Sequence, residues 1–128
     1  MSALLYEVKD GIAWIRFNKP EILNAFDADE CRHFVKTLRE AADDKAVKAI
    51  ILSSVGPAFS AGDDLKAALE EYPQIQSGEI HPILDIVEDI TENLQEIPRI
   101  IRRAPKVVIA AVRGYAVGAG FEISIDSD

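Results

Sequence analysis

Two short aliphatic runs, "VKAIILSSV" at 47–55 and "KVVIAAV" at 106–112, constrain this chain more than any other feature. Each is too short for a buried helix and lacks polar alternation, which is the pattern of a strand covered on both faces. Before the first run, Cys31, Phe34, Val35, Leu38, Ala41 and Ala42 follow helical spacing. Asp27 and Glu30 ahead of them have the form of a capping box, predicting an amphipathic helix that ends near Asp43–Asp44. Further upstream, "LLYEVKDGIAWIRFN" places Asp10-Gly11 between two strand-like segments, a tight-hairpin signal. In the second segment Ala13, Ile15 and Phe17 share one face, and Ile12, Trp14 and Arg16 share the other. A strand, a helical crossover and a second strand pair in parallel with right-handed connection. The predicted class is α/β.

The section between the two buried runs reads as surface helices and a mobile loop. "DDLKAALEEY" opens a helix at Asp63 or Asp64, and Pro73, Gly78 and Pro82 break the chain after it. Helical spacing resumes through Ile83, Ile86, Val87, Ile90, Leu94 and Ile97, with Pro98 kinking or ending it. A chain of 128 residues fits a single domain, 1–128. The net charge of -8 provides no broad positive field for phosphates, so nucleic acid is not an expected partner. The lone cysteine, Cys31, rules out an internal disulfide and suggests a cytoplasmic setting. No apolar run approaches the roughly 18 residues that span a bilayer, so no membrane association is expected.

Two loops stand out, each beyond the C-terminal end of a predicted buried strand, where α/β proteins collect ligands. They are "GPAFSAGDDL" and "RGYAVGAGFE". Both consist of small residues leading into helices, so their backbone N–H groups are sterically open and sit at positive helix termini. Two such donors aimed at one oxygen would form an oxyanion hole. The plainer reading is that the glycines only permit tight strand-to-helix turns. Phosphate-binding alternatives fail on the same residues. Gly118-x-Gly120 is followed by Ile123 rather than a third glycine, and no glycine precedes a lysine as a P-loop requires.

Taken together, "NKPEILNAF", "PAFSAGDDL" and "PKVVIAAVRGYAVGAGFE" resemble the first half of the enoyl-CoA hydratase/isomerase (crotonase) superfamily, over about residues 4 to 128. The resemblance implies a crotonase-like spiral of ββα units, truncated after its first half, that binds an acyl-CoA thioester and stabilises its enolate with two backbone N–H groups. Matched residue by residue, those donors are Ala61 in "FSAGDD" and Ala119 in "VGAGFE". Glu122 falls where similar hydratases keep one of two catalytic glutamates, the second lying further along than Asp128. Without the resemblance, Glu122 reads as a solvated acid in a first helical turn.

The resemblance further implies that Ala61, Gly62, Asp63, Asp64 and Leu65 meet the adenine of coenzyme A, that Ala25 lines its channel, and that Gly118 borders the thioester. For the Asp63 and Asp64 side chains, helix capping is an equally good explanation. Ile22 replaces a basic residue common in the family, leaving Lys19 or Lys66 as substitutes for phosphate contact. His33 and His81 read as structural or solvent-facing, Cys31 as a core residue of its helix and Trp14 as core, and no ligand spacing suggests a metal. No cofactor is expected beyond coenzyme A as part of the substrate. The family implies a homo-oligomer, trimer or hexamer. The alternative expectation is a short non-catalytic paralogue that binds acyl-CoA or a protein partner. Ending at Asp128, the chain would leave a sheet edge open beside "VVIAAV".

Overall fold

A computed structural model of the protein describes residues 2–71, 73, 77–78, 88 and 92–128. Strands β1 (Leu4–Lys9) and β2 (Ile12–Phe17) form the expected antiparallel hairpin. Helix α1 (Ala28–Asp43) begins at the predicted capping box: Asp27 Oδ1 accepts from Glu30 N at 2.8 Å, and Glu30 Oε2 accepts from Asp27 N at 3.1 Å. It leads into β3 (Ala49–Ser54), which runs parallel to β2. Two short segments, strand β4 (Ala58–Ser60) and helix α2 (Leu65–Glu71), come next. Helix α3 (Glu96–Arg103) then returns the chain to β5 (Val107–Ala110), parallel to β3. Strand β6 (Tyr115–Ala116) and helix α4 (Ala119–Asp126) complete the order. The main sheet runs β1-β2-β3-β5, and β4 pairs with β6 in a separate two-stranded parallel sheet.

The core lies on one face of the main sheet, where Ala13, Ile15, Ile50, Leu52 and Val108 are fully buried against α1 and α3. Register explains the alignment: Ala13 pairs with Ile50, and Ile50 with Val108. Phe17 links the layers, its ring centroid lying 5.0 Å from Phe26, 5.1 Å from Phe34 and 5.4 Å from Phe59 in edge-on geometry. The second sheet therefore shares the core of the first.

Several expectations need correction. The run at 106–112 is not covered on both faces. Val107 and Ile109 are half exposed, because β5 is the edge of the main sheet and nothing described packs on its far side. Pro98 does not end the helix it lies in, but follows directly on the interruption at Gln95 that separates this helix from the helical residues 92–94. It sits in the first turn of α3, a position that tolerates a residue without an N–H. Trp14 is only partly buried, on the sheet face opposite the core. Strands β4 and β6 are additions that no sequence pattern announces. The predicted helical spacing at Ile83, Ile86, Val87 and Ile90, the mobile loop and His81 lie outside the described residues.

Candidate active site

The segment 23–26 is zippered onto the loop after β4. Asn24, buried and in the left-handed region (φ 54°), donates from Nδ2 to Val55 O and Ala58 O at 2.9 Å each. Its Oδ1 accepts from Lys19 N at 2.8 Å, and its carbonyl accepts from Ser60 Oγ at 2.7 Å. Phe26 N donates to Gly62 O and Asp64 N to Phe26 O, both at 2.7 Å. Asp64 Oδ1 in turn accepts from Lys66 N and Ala67 N, capping α2.

The second loop is stitched to the first. Ala58 pairs with Tyr115 and Ser60 with Ala116, and Val117 N donates to Ser60 O at 3.0 Å. Gly62 lies so close to it that a Cβ there would stand 2.8 Å from Val117 O, and its φ of 90° disfavours a side chain in any case. A Cβ on Gly120 would meet Ser60 Cβ and O at 2.7 Å, so α4 reaches β4 only with glycine at this position. The two glycine-rich loops predicted to cooperate are thus in direct contact.

Their amides divide into occupied and unoccupied donors. Ala61 N donates to Leu23 O at 3.0 Å, and Gly62 N to Ser60 Oγ at 3.1 Å. This corrects the expectation that Ala61 supplies a donor: its only N–H is spent on holding segment 23–26. Asp63 N is the amide of this loop without a hydrogen-bond partner among the described residues. In the second loop Gly120 N donates to Val117 O and Glu122 N to Gly118 O, while the amide of buried Ala119 has no partner among the described residues. Gly118, as N-cap of α4, has no side chain to offer it.

Ala119 and Glu122 line one cavity of about 90 Å³, walled by Leu94, Ile97, Pro98 and Ile123. Glu122 is exposed in the first turn of α4. Ala25 borders a recess of about 20 Å³ between Phe17, Phe26 and Lys19, room for one water molecule. Leu65 is largely exposed at the start of α2. Burial raises the Asp63 carboxyl above its ordinary value. Lys19 is not available for phosphate contact: its Nζ pairs with Glu30 and, at 3.5 Å, with Asp27, and the hydrogen bond to Glu30 pushes its pKa up. Lys66 remains exposed, its Nζ 3.9 Å from Glu70.

A family model described as Enoyl-CoA hydratase/isomerase matches residues 7–128. The chain belongs to this family. Among curated relatives, the trans-2-decenoyl-[acyl-carrier-protein] isomerase of Streptococcus mutans is 27% identical over 98% of the chain, which spans 45% of that protein. The 1,4-dihydroxy-2-naphthoyl-CoA synthase of Mycobacterium tuberculosis is 30% identical over 94% of the chain and 41% of its own length. An enoyl-CoA hydratase/isomerase structure from Xanthobacter autotrophicus superposes with a TM-score of 0.82 at 32% identity, covering 99% of this chain and 44% of that one. Human enoyl Coenzyme A hydratase domain-containing protein 3 gives 0.83 at 28% identity, covering 99% and 46%. The fold is therefore the crotonase fold, and the chain spans a little under half the length of these relatives.

Proposed function

We propose that this chain forms the thioester-holding half of an acyl-CoA site of the enoyl-CoA hydratase/isomerase type. The observation that carries the reading is the pair of unpartnered amides, Asp63 N–H and Ala119 N–H, on two loops held together at Gly62. Adding water to an α,β-unsaturated thioester, or shifting its double bond, places negative charge on the thioester oxygen. Fixed donors that lack other partners stabilise that charge without reorganising, and losing one such donor costs about 2.7–4 kcal/mol of barrier. The named relatives, an isomerase and a synthase, differ in reaction but share an acyl thioester, which is the part these amides would serve.

Glu122 shares the Ala119 cavity and acts in this reading as one acid–base group, exchanging a proton with water or with the substrate carbon beside the carbonyl. The apolar wall at Leu94, Ile97 and Pro98 accepts the acyl chain. Coenzyme A enters as part of the substrate, meeting the backbone of 61–65, and no other cofactor is required. A cytoplasmic setting and homo-oligomeric assembly belong to the same reading, resting on the single cysteine and the family.

Crotonyl-CoA hydration by wild type and Glu122→Gln tests the acid–base role. The variant is expected to lose on the order of 10²–10⁴ in kcat, with KM little changed. Equal turnover by the two proteins would remove Glu122 from the mechanism. The hole is tested separately by titrating with acetoacetyl-CoA, whose enolate absorbs in the near ultraviolet: binding without growth of the enolate band rejects it.

A further inference from the structure

The cavity shared by Ala119 and Glu122 contains a second carboxylate, and we infer that Asp126 positions the attacking water in a hydration reaction whose proton Glu122 transfers. The inference rests on the acyl-CoA reading above and narrows its reaction to the addition of water. Glu122 and Asp126 lie four residues apart on α4, a spacing that brings Cβ atoms to about 5–6 Å on one helix face. Both border the cavity of about 90 Å³, together with buried Ala119 and its unpartnered N–H. Only 16% of the Asp126 side chain is exposed, and Arg102 Nη2 donates to its Oδ1 at 3.3 Å. Neither Asp126 Oδ2 nor the Glu122 carboxylate has a partner among the described residues.

Hydrogen bonding and charge both favour a water at this place. An enclosed water needs about two to four polar partners, and the cavity has room for one beside the reacting carbons. Leu94, Ile97, Pro98 and Ile123 offer no polar side chain, so the partners come from the two carboxylates. Gln95, the other polar residue of the lining, is exposed, and its Oε1 already accepts from Arg99 at 3.5 Å. Two neighbouring carboxylates repel, and the Arg102 guanidinium, outside the lining, offsets the charge of Asp126. Anchoring through Oδ1 leaves Oδ2 to accept one hydrogen of the water, while Glu122 accepts the other. The water oxygen then bonds to the carbon β to the thioester carbonyl as Glu122 takes that proton. The π electrons move onto the thioester oxygen, held by the amides of Asp63 and Ala119, and Glu122 returns the proton to the α carbon. One O–H bond and one C=C π bond break, one C–O and one C–H bond form, and Asp126 ends unchanged.

Asp126→Asn separates this role from a structural one, because it keeps an acceptor for Arg102 and replaces the water-facing oxygen by a donor. Wild type and variant are compared in hydration of crotonyl-CoA, in exchange of the α proton of butyryl-CoA for deuterium, and in the enolate band of bound acetoacetyl-CoA. Of these, hydration alone requires an added water. The variant is expected to lose on the order of 10²-fold in hydration kcat, the effect of a misplaced reactant, while proton exchange and the enolate band are retained. Equal hydration by the two proteins overturns the inference. So does a loss of hydration and exchange together, which would make Asp126 a structural support of Glu122, and so does a wild type that adds no water. In each of these cases a growing enolate band in the wild type leaves the acyl-CoA reading standing. A wild type without that band overturns the reading and the role of Asp126 with it.

Discussion

Asn24 organises the candidate site from outside it. Four hydrogen bonds through its side chain and carbonyl join Lys19, Val55, Ala58 and Ser60, and the residue is buried. Truncation to alanine leaves buried carbonyls and an amide without partners, each costing about 1–3 kcal/mol, so Asn24→Ala should destabilise by about 3 kcal/mol once relaxation is allowed. Urea denaturation should show this as a lower midpoint at unchanged slope, and the loop bearing Asp63 should bind acyl-CoA less tightly. The preference of asparagine for turns is legible in the sequence; its partners, 31 and 34 residues away, are not. The same limit explains Ala61. Small residues before a helix mark a loop with open amides, but only the position of Leu23 determines which amide is already used.

Elements whose cause is local are legible in the sequence. The α1 start comes from Asp27 and Glu30, its buried stripe from the spacing of Phe34, Leu38 and Ala41, and the hairpin from Asp10-Gly11. Asp27→Ala should cost about 1 kcal/mol by removing the cap, measurable as a fall in Tm, and Glu30→Gln should cost less because it retains an acceptor. Elements whose cause is distant are not legible. Strands β4 and β6, of three and two residues, have no periodicity to detect and exist because each pairs with the other. Pro98 has the look of a stop because its position within a helix cannot be known until the helix start is known.

At the scale of the molecule, both sheets melt or hold together. Phe59 of β4 is fully buried and meets Phe17 of β2 edge-on, so the loops of the candidate site rest on the same core as the main sheet. Phe59→Ala should cost about 3–5 kcal/mol. Because the core is shared, its effect should appear equally in far-ultraviolet circular dichroism and in the fluorescence of Trp14, which lies in the other sheet. A Trp14 transition that does not move with the mutation would show that β4 and β6 unfold on their own.

The amino-acid sequence by itself determined the α/β class, the hairpin, the capped helix, the parallel strands and the two loops that matter, because periodicity, capping and turn chemistry act over a few residues. Tertiary structure alone decided that, among the described residues, Asp63 rather than Ala61 keeps an open amide, Lys19 is held by Glu30, and Val107 and Ile109 stay half exposed. Each of these depends on which distant group arrives to accept a hydrogen bond, neutralise a charge or cover a surface. Spacing along the chain does not encode that.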